Sequence, residues 1–239
     1  MRARARLVVE LDGRGHSVVR GLRSAAPLTL VPARAHGPGP VTVRLVNSAA
    51  APLAGDDLEL TVEVGPGAAL TLEGVAATLA LPGHRFEPSR FTIGITAGAG
   101  AAVAYLPEPT VITARARHES VLRADLAAGA ELRCREVLVL GRAGECPGHL
   151  ASEVHIVRGG CPVLRQRLAI GDPALDRGAA HLAGHRVLAS DILVDDRPAP
   201  AADGGEWWSL TPLAAGGSVA TALAGDTITA MRLIGLARG

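Results

Sequence analysis

The 239-residue sequence predicts a mainly β protein whose strands stack in layers, as a solenoid or a multilayer sandwich, with one or two short helices. Apolar and polar residues alternate over short runs, as they do in half-buried strands. Gly and Pro are frequent, at 29 and 16 residues, which favours many turns over long helices. No composition shift marks a boundary, so we expect a single domain over residues 1–239.

A strand, a short Gly-containing turn and a second strand form a unit that recurs along the chain. LELTVEV (58–64) turns at GPG into AALTLEG, FTIGIT turns at AGAG into AAVAYL, and VLRADL turns at AAG into AELRCREVLVL. EVHIVRGGCPVLRQRLAI is a looser fourth copy. The outgoing strands begin near Leu58, Phe91, Val121 and Val154, which gives a period of about 30 residues, in the range of stacked repeats.

Stacking explains why such a unit would repeat. A single unit cannot bury its apolar face, whereas stacked units can, and Gly and Ala at the turns allow layers to approach closely. Gly-Ala turns are also expected by composition in an Ala-rich chain. The alternation on both sides of each turn is therefore the stronger sign of β structure.

The segments outside the repeats complete the expected order of elements. VTVRLVN predicts another strand and PARAHGPGP a loop, while RVLASDILVDD predicts a strand or hairpin arm and RPAPAADGGE a surface loop. SVATALAG predicts the last strand, after which Asp226 is a candidate N-cap for a short helix. We expect that helix to turn Ile228, Met231 and Leu233 or Ile234 inward.

The charge and composition exclude several classes of function. A formal net charge of +1 and an aromatic content of 2% provide neither a basic field nor stacking platforms, so we expect no nucleic-acid binding. All 24 basic residues are Arg, which excludes a Schiff-base lysine and a phosphate-loop lysine. GPGP and GAGAA precede strands, whereas a dinucleotide fingerprint precedes a helix.

The cysteines and the N-terminal segment favour an intracellular location. Cys134, Cys146 and Cys161 form no CxxC pair and are odd in number, which fits reduced thiols in the cytosol. MRARARLVVELDG is positively charged, but no apolar stretch of a signal peptide follows it, and no run is long enough to cross a bilayer. We therefore expect a cytoplasmic protein without a membrane segment.

The sequence contains few groups that suggest catalysis or a stable metal site. HLAGH would place His181 and His185 on one face of a helix, but the motif lacks a Glu and contains a Gly, and a strand-like run follows it. The other histidines (His16, His36, His84, His118, His149, His155) are scattered. No Ser, His and acid set stands in a nucleophile context, so we name no catalytic residue and no permanently bound cofactor.

Three acids at strand ends are the remaining candidates for a functional site: Asp56 in LAGDDLEL, Glu108 in LPEP and Glu145 in GRAGECPG. Pro107 and Pro109 lack backbone donors and have a fixed φ, so this segment cannot be a central strand and Glu108 is presented on a rigid frame. The ordinary interpretation is a strand terminator with a solvated acid.

The same segments resemble the urease accessory protein D family, also called protein H. The resemblance is carried by AGDDLELTVEVGPGAALTL, YLPEPTVITARARHESVLRADLAAGAEL, EVLVLGRAGE and CPVLRQRLAI, in this order, from about Leu53 to Ile170 and more weakly to the C-terminal helix. By position, Asp56 matches the family's Gly-Asp, Glu108 its Leu-Pro-acid-Pro and Glu145 its Gly-Glu.

The resemblance implies a non-enzymatic scaffold that joins urease accessory proteins F and G and docks on apo-urease for nickel delivery, with a dimer of the accessory complex among the assemblies it allows. It implies a helically stacked β fold with an internal passage for nickel. Asp56, Glu108 and Glu145 then become candidates for a transit route, because carboxylates attract Ni²⁺ without holding it as tightly as imidazole or thiolate.

The sequence also departs from the family pattern, in a way that identifies a divergent member. LTLEGVAATLALPG keeps Ala77 and Thr78 but has Leu79, Leu81 and Gly83 where the family has a basic residue, a Tyr and a Ser, so no role carries over there.

An alternative function is a β-rich module that binds a protein or a saccharide and has no metal role. The aromatic residues available for a sugar platform are Phe86, Phe91, Tyr105, Trp207 and Trp208, and GEWW is equally suited to a buried end-cap.

Overall fold

The structure is a computed structural model that describes residues 1–33 and 39–239. The predicted loop PARAHGPGP and His36 fall largely or wholly on residues 34–38, outside the described ones. The described chain is mainly β, which confirms the predicted fold class. The expectation of one domain over residues 1–239 stays a prediction.

The elements in chain order are β1 (Arg2–Leu11), β2 (Ser17–Arg23), β3 (Leu28–Pro32), β4 (Val41–Asn47), β5 (Asp57–Val64), β6 (Ala69–Gly74), β7 (Thr78–Ala80), β8 (Ser89–Ala97), β9 (Ala102–Leu106), β10 (Thr110–Ile112), β11 (Arg117–Leu126), β12 (Glu131–Leu140), β13 (His149–Arg158), β14 (Cys161–Ile170), α1 (Pro173–Asp176), β15 (Val187–Val194), β16 (Asp203–Gly204), β17 (Trp208–Pro212), β18 (Ser218–Ala224) and α2 (Thr227–Arg238).

The strands form two sheets. Sheet A has seven strands in the order β14-β13-β11-β8-β5-β1-β2, and sheet B follows the order β16-β17-β18-β15-β12-β9-β6-β4-β3. The short strands β7 and β10 pair with each other, and β10 also pairs with the end of β12. The chain therefore alternates between two layers along most of its length.

The predicted repeats are the stacked part of this arrangement. In three successive units the outgoing strand (β5, β8, β11) joins sheet A and the return strand (β6, β9, β12) joins sheet B. Equivalent strands pair in parallel, with Leu58 beside Phe91 and Phe91 beside Ser120. The alternation in β5 is complete, because all four of its apolar residues are buried.

The fourth copy differs from the first three. Its outgoing strand β13 stacks in parallel on β11, but β14 returns antiparallel in the same sheet. Gly159 and Gly160 form the connection and have φ values of 56° and 79°. Two consecutive positive φ values are what a tight hairpin turn requires, whereas the earlier turns lead the chain across to the other sheet.

The N-terminal segment forms the strand β1, which the sequence analysis did not identify. β1 pairs in parallel with β5 from Arg2–Asp57 to Val9–Val64, and so forms the first layer of sheet A. Ala3, Ala5, Leu7 and Val9 are buried, and the arginines between them are exposed. The segment therefore alternates as a half-buried strand does, although the sequence analysis considered it only as a possible signal peptide.

The interior contains two apolar clusters between the sheets. The turn-side core lies next to the Gly-Ala turns and includes Val62, Ile95, Leu126, Leu132 and Ile156. The loop-side core lies at the other end of the strands. Its large members are Ile112, Leu138, Leu140, Leu150, Ile170, Leu182 and Leu188.

Helix α2 packs on the outer face of sheet B through Ala230, Ile234 and Ala237. Asp226 is its N-cap and accepts a hydrogen bond from the Thr229 amide at 2.8 Å, as predicted. Ile234 is buried as expected, but the inward placement of Ile228 is wrong, since that side chain is 83% exposed. Ile228 lies two residues before Ala230, about 200° around the helix, and so faces away from the sheet.

Candidate functional site

A cavity lies between the two sheets and separates the turn-side core from the loop-side core. Its volume is about 100 Å³. Its walls come from the middle of the long strands, where apolar side chains give way to polar ones. The polar belt, as we call these side chains, consists of Ser120, Glu136, Ser152, Gln166 and Ser190.

The polar belt follows from the register of the strands. Ser120 pairs with Ser152 in sheet A, and Glu136 pairs with Ser190 in sheet B. In β12, Glu136 occupies an inward position between Cys134 and Leu138, which belong to different cores. Polar residues at matching positions in neighbouring strands therefore line one level of the sandwich.

Glu136 is the charged centre of the belt and connects the two sheets. Its Oε1 accepts hydrogen bonds from Ser120 Oγ at 3.3 Å and Ser152 Oγ at 3.2 Å, and its Oε2 accepts one from Ser152 Oγ at 3.0 Å. Burial raises the pKa of Glu136, and the hydrogen bonds from Ser152 and Ser120 act in the opposite direction. A carboxylate held by neutral hydroxyls retains its capacity to attract a cation.

His118 also lines the cavity and is 4% exposed. Its Nδ1 lies 2.9 Å from Ser89 Oγ, which itself donates to the Arg117 carbonyl at 3.2 Å. Burial lowers the pKa of His118 to about 4, so the imidazole is neutral near pH 7. Burial also raises the pKa of the Cys134 thiol and of Tyr105, which line the same space and are neutral there.

An interruption in sheet B gives the cavity one route to the surface. Strand β9 pairs with residues 131–134 of β12, and β10 pairs with residues 138–140, so residues 135–137 lie beside the Pro107–Pro109 segment instead of a strand. The prolines provide no amide hydrogen for a ladder. We call residues 75–77, 107–109 and 135–137 the sheet B gap.

Gly74 allows the neighbouring layers to meet closely at this gap. A Cβ atom at Gly74 would lie 2.5 Å from the Glu108 backbone nitrogen, so a larger residue would displace the Pro-Glu-Pro segment. The requirement for glycine here comes from close approach, since Gly74 does not have a positive φ.

Lining residues are exposed at two separate places. Asn47, Ala76 and Glu108 are exposed around the sheet B gap. Gln166 is exposed beside the edge of sheet A, where β13 and β14 end the stack. Residues of the cavity lining are thus exposed in both sheets.

Of the three acids singled out in the sequence, Glu108 lines the cavity. It is exposed and lies between β9 and β10, as the flanking prolines predicted. Its rigid presentation has a structural meaning, because the segment that carries it is the one that interrupts sheet B.

Asp56 is in a different place, at the start of β5, and its side chain is 4% exposed. Its Oδ1 accepts from the Met1 amino group, and its Oδ2 accepts from the Leu53 amide at 2.8 Å. Both oxygens are therefore occupied by groups of this chain, and Asp56 is not among the residues that line the cavity.

Glu145 is also not among the residues that line the cavity, and it holds the 141–148 loop in place. It forms an ion pair with Arg142 at 2.7 Å and accepts from the Ala114 amide at 3.3 Å. The hydrogen bond from Arg142 lowers the pKa of Glu145 to about 2. The predicted role of Asp56 and Glu145 in metal transit stays a prediction, and their contacts give each of them a structural role.

The histidines of HLAGH lie in a turn, as the glycine between them suggested. His181 Nε2 lies 3.0 Å from the Ala169 carbonyl oxygen, whereas His185 packs against Trp207 with ring centroids 4.2 Å apart. Within residues 1–33 and 39–239, no group of three or more His, Cys, Asp or Glu side chains is arranged to hold a metal ion. Neither α1 nor α2 has the length and apolar character needed to cross a membrane.

The aromatic residues are dispersed. Tyr105 is 7% exposed and Phe91 packs against the turn-side core, while Trp208 packs under α2. Phe86 and Trp207 are exposed on different segments. The saccharide alternative therefore gains no paired aromatic platform from the described residues.

Glu136 is the main site residue that the sequence analysis missed. ELRCREVLVL alternates so that Glu136 shares a face with Leu132, Cys134, Leu138 and Leu140. A charged residue on an otherwise apolar strand face is an informative exception to burial rules. The sequence therefore contains a signal for Glu136, which lies within a strand, whereas the three predicted acids lie at strand ends.

Comparison with known proteins identifies relatives over almost the whole chain. A family model described as UreD urease accessory protein matches residues 1–238. The chain is 52% identical over 242 residues to urease accessory protein UreD 1 of Saccharopolyspora erythraea, covering 100% of this chain and 95% of that protein. It is 40% identical over 259 residues to urease accessory protein UreD of a Parafrankia species, covering 97% and 86%. It is 39% identical over 234 residues to urease accessory protein UreD 3 of Streptomyces griseus, covering 95% and 91%.

Proposed function

The chain belongs to the UreD family of urease accessory proteins and has a role in urease maturation, and from this premise we propose that it is a non-enzymatic scaffold for nickel delivery. In this role it joins accessory proteins F and G to apo-urease in the cytoplasm, within a complex that is able to dimerise. Nickel is cargo that passes through the chain and is not a resident cofactor.

The observation that carries this proposal is a cavity with a half-buried carboxylate in its wall and exposed lining residues in both sheets. Glu108 stands at the sheet B gap, Glu136 at the middle, and Gln166 at the edge of sheet A. A cavity of about 100 Å³ with a polar belt in its wall is large enough for several water molecules. An ion crossing it would keep part of its hydration.

The donor chemistry supports transit over storage. Carboxylate and hydroxyl oxygens are harder and weaker ligands for Ni²⁺ than imidazole or thiolate. Glu136, Ser120 and Ser152 bring three oxygen-bearing groups together at one level, and conduction requires sites that bind weakly enough to release the ion. Because burial raises the pKa of Glu136, protons compete with the metal there, and lower pH should weaken passage.

Glu108 and Glu136 have distinct parts in this route. Glu108 is exposed at the gap and attracts a cation from outside, whereas Glu136 faces the cavity inside. Asp56 and Glu145 enter the proposal as supports for the frame, because their oxygens are engaged by Met1, Leu53, Arg142 and Ala114.

The test is urease activation in cells that co-express apo-urease, proteins F and G, and a variant of this chain. We expect Glu136→Gln to lower the nickel content and activity of urease about tenfold or more, as is typical when a group that supports a metal is lost. Glu108→Gln should also lower the nickel content and the activity of urease. Pull-down of apo-urease with the accessory proteins should remain intact in both variants, since each change removes one charge and little volume.

Glu131→Gln is the matched control, because Glu131 begins the same strand as Glu136 but is exposed and does not line the cavity. It should leave activation unchanged. Full nickel loading in the Glu136 and Glu108 variants would remove both residues from the route. Failure of the wild-type chain to associate with apo-urease or with either accessory protein would overturn the scaffold role itself.

A further inference from the structure

The outer face of sheet A carries charged side chains in rows that run across the strands. One row contains Arg2, Asp57, Arg90 and Glu119 on four neighbouring strands. Their signs alternate, and Arg90 Nη2 pairs with Glu119. This row is therefore balanced within itself.

The next row is also balanced. It pairs Arg4 with Glu59 at 2.8 Å at one end and Arg167 with Glu153 at 3.5 Å at the other. Opposite charges directly across strands contribute about 0.2–1 kcal/mol each, so both rows follow the usual pattern of sheet surfaces.

The third row is different, because its charges have one sign. Its seven positions from β14 to β2 are Arg165, His155, Arg123, Gly94, Thr61, Arg6 and Arg23. Arg165, His155 and Arg123 occupy three adjacent strands, and Arg6 is directly opposite Arg23. We call these seven residues the basic row.

The acids near the basic row leave most of it uncompensated. In the row beyond it, Glu63 forms an ion pair with Arg6 at 2.8 Å, and Asp125, two residues along β11 from Arg123, forms an ion pair with no residue that the structure describes. Arg23, Arg123 and Arg165 form no ion pair with any residue that the structure describes. Like charges directly opposite one another on a sheet are destabilising, so the free protein retains repulsion that an acidic partner would relieve.

The shape of the surface suits a flat partner. Adjacent strands lie about 4.8 Å apart, so the row spans about 29 Å. Gly94 sits inside the row with no atom within 4 Å of the position its Cβ would take, which leaves a shallow notch beside Arg123. A side chain of a partner could enter this notch and still contact Arg123.

From this juxtaposition we infer that the basic row is a docking surface for a row of carboxylates on a partner protein. A protein fits better than a nucleic acid, because the neighbouring rows contain Glu59, Glu153 and Asp125 about 7 Å away, within the distance over which charges act. The phosphates of a nucleic acid would be repelled by those acids. A protein surface can instead place cationic side chains opposite them and carboxylates opposite the basic row. The inference goes beyond the proposed function and does not depend on it.

The experiment measures binding of a fluorescent ten-residue polyglutamate peptide to the full chain by anisotropy, at about 50 mM salt and again near 1 M salt. Arg123→Gln with Arg165→Gln should weaken binding about tenfold at low salt, because each exposed charge contact contributes up to about 1 kcal/mol. The difference should disappear near 1 M salt, where the Debye length is about 3 Å.

The control is Arg4→Gln with Arg90→Gln, which removes the same charge from the same face but from the balanced rows. It should weaken binding less than threefold. Equal loss in the two double variants, no binding by the wild-type chain, or tighter binding of duplex DNA than of the peptide would each overturn the inference. Thermal unfolding of every variant verifies that the sheet is retained, and association with apo-urease, tested separately, bears on the proposed function alone.

Discussion

The turn-side core and the polar belt are built from the same strands but have opposite characters. Along β11, Leu122, Ala124 and Leu126 belong to the core, and Ser120 belongs to the belt. Along β12 the change falls between Cys134 and Glu136. A single strand thus contributes to the apolar core at one end and to the polar wall of the cavity in its middle.

The difference shows how a stacked β fold can contain a cavity without losing its core. Parallel layers repeat each inward position in the next layer, so a polar residue at one position lines up with its neighbours. Small residues close the turn side, where Ala68, Ala101 and Ala130 are fully buried. Prolines in one layer then keep sheet B from closing over the belt.

The largest expected effect is on the turn-side core. Leu132 is fully buried, so Leu132→Ala should lower the free energy of unfolding by about 3 kcal/mol through lost burial and a residual cavity. Urea unfolding at pH 7 measures this. Leu132→Met is the control and should cost less than about 1.5 kcal/mol.

The contrast between the turn-side core and the polar belt is wrong if the belt contributes as much to folding stability as the core does. Glu136→Gln should change the free energy of unfolding by less than about 1 kcal/mol, since it removes a charge that burial disfavours. A loss as large as that of Leu132→Ala would make Glu136 a folding residue first and a site residue second.

The repeats were predictable because period-two alternation is a local property of the chain. The strands β5, β8 and β11, the Pro-Glu-Pro interruption and the Asp226 cap all follow from short-range chemistry. The strands β13 and β14 and the turn between them were predicted, but their antiparallel pairing within one sheet was not. The sequence shows only a turn at Gly159 and Gly160, whereas their positive φ values determine that the chain returns in the same sheet.

The site was only partly predictable, because it depends on which positions of distant strands share one level. Glu108 was identified from its prolines, but Glu136 gains meaning only when Ser120 and Ser152 are placed opposite it, 16 residues away on either side. Asp56 and Glu145 matched family motifs, yet the motif alone could not reveal that their oxygens are already engaged.

The next effect concerns stability at acid pH and arises from His118, which lines the cavity beside the polar belt. His118 has a folded-state pKa of about 4 and an ordinary value of 6.5, so the unfolded chain binds a proton first as the pH falls. The folded state should therefore lose stability between pH 6.5 and pH 4, by about 2 kcal/mol at pH 5, and none of this loss should occur above pH 7. Unfolding of His118→Gln at several pH values should show a flatter dependence than the wild type.

His155→Gln is the control, because it replaces an exposed histidine and changes no buried imidazole. It should retain the wild-type slope between pH 6.5 and pH 4. Identical slopes in the wild type and His118→Gln would mean that the belt admits water and protons freely around His118.

The smallest effect separates the two serines that line the cavity in different ways. Ser152 donates to both oxygens of Glu136, whereas Ser190 pairs with Glu136 along the backbone ladder and lines the same space. Ser152→Ala should cost about 1 kcal/mol at pH 7, with Ser190→Ala costing less. Because the hydrogen bond from Ser152 opposes the burial that raises the pKa of Glu136, its loss should raise that pKa further, which carboxyl carbon NMR can follow.

The loss of unfolding free energy in Ser152→Ala should shrink at acid pH, where Glu136 is protonated in both proteins. Equal costs at all pH values would indicate that Ser152 acts through packing and that Glu136 is held by the backbone alone.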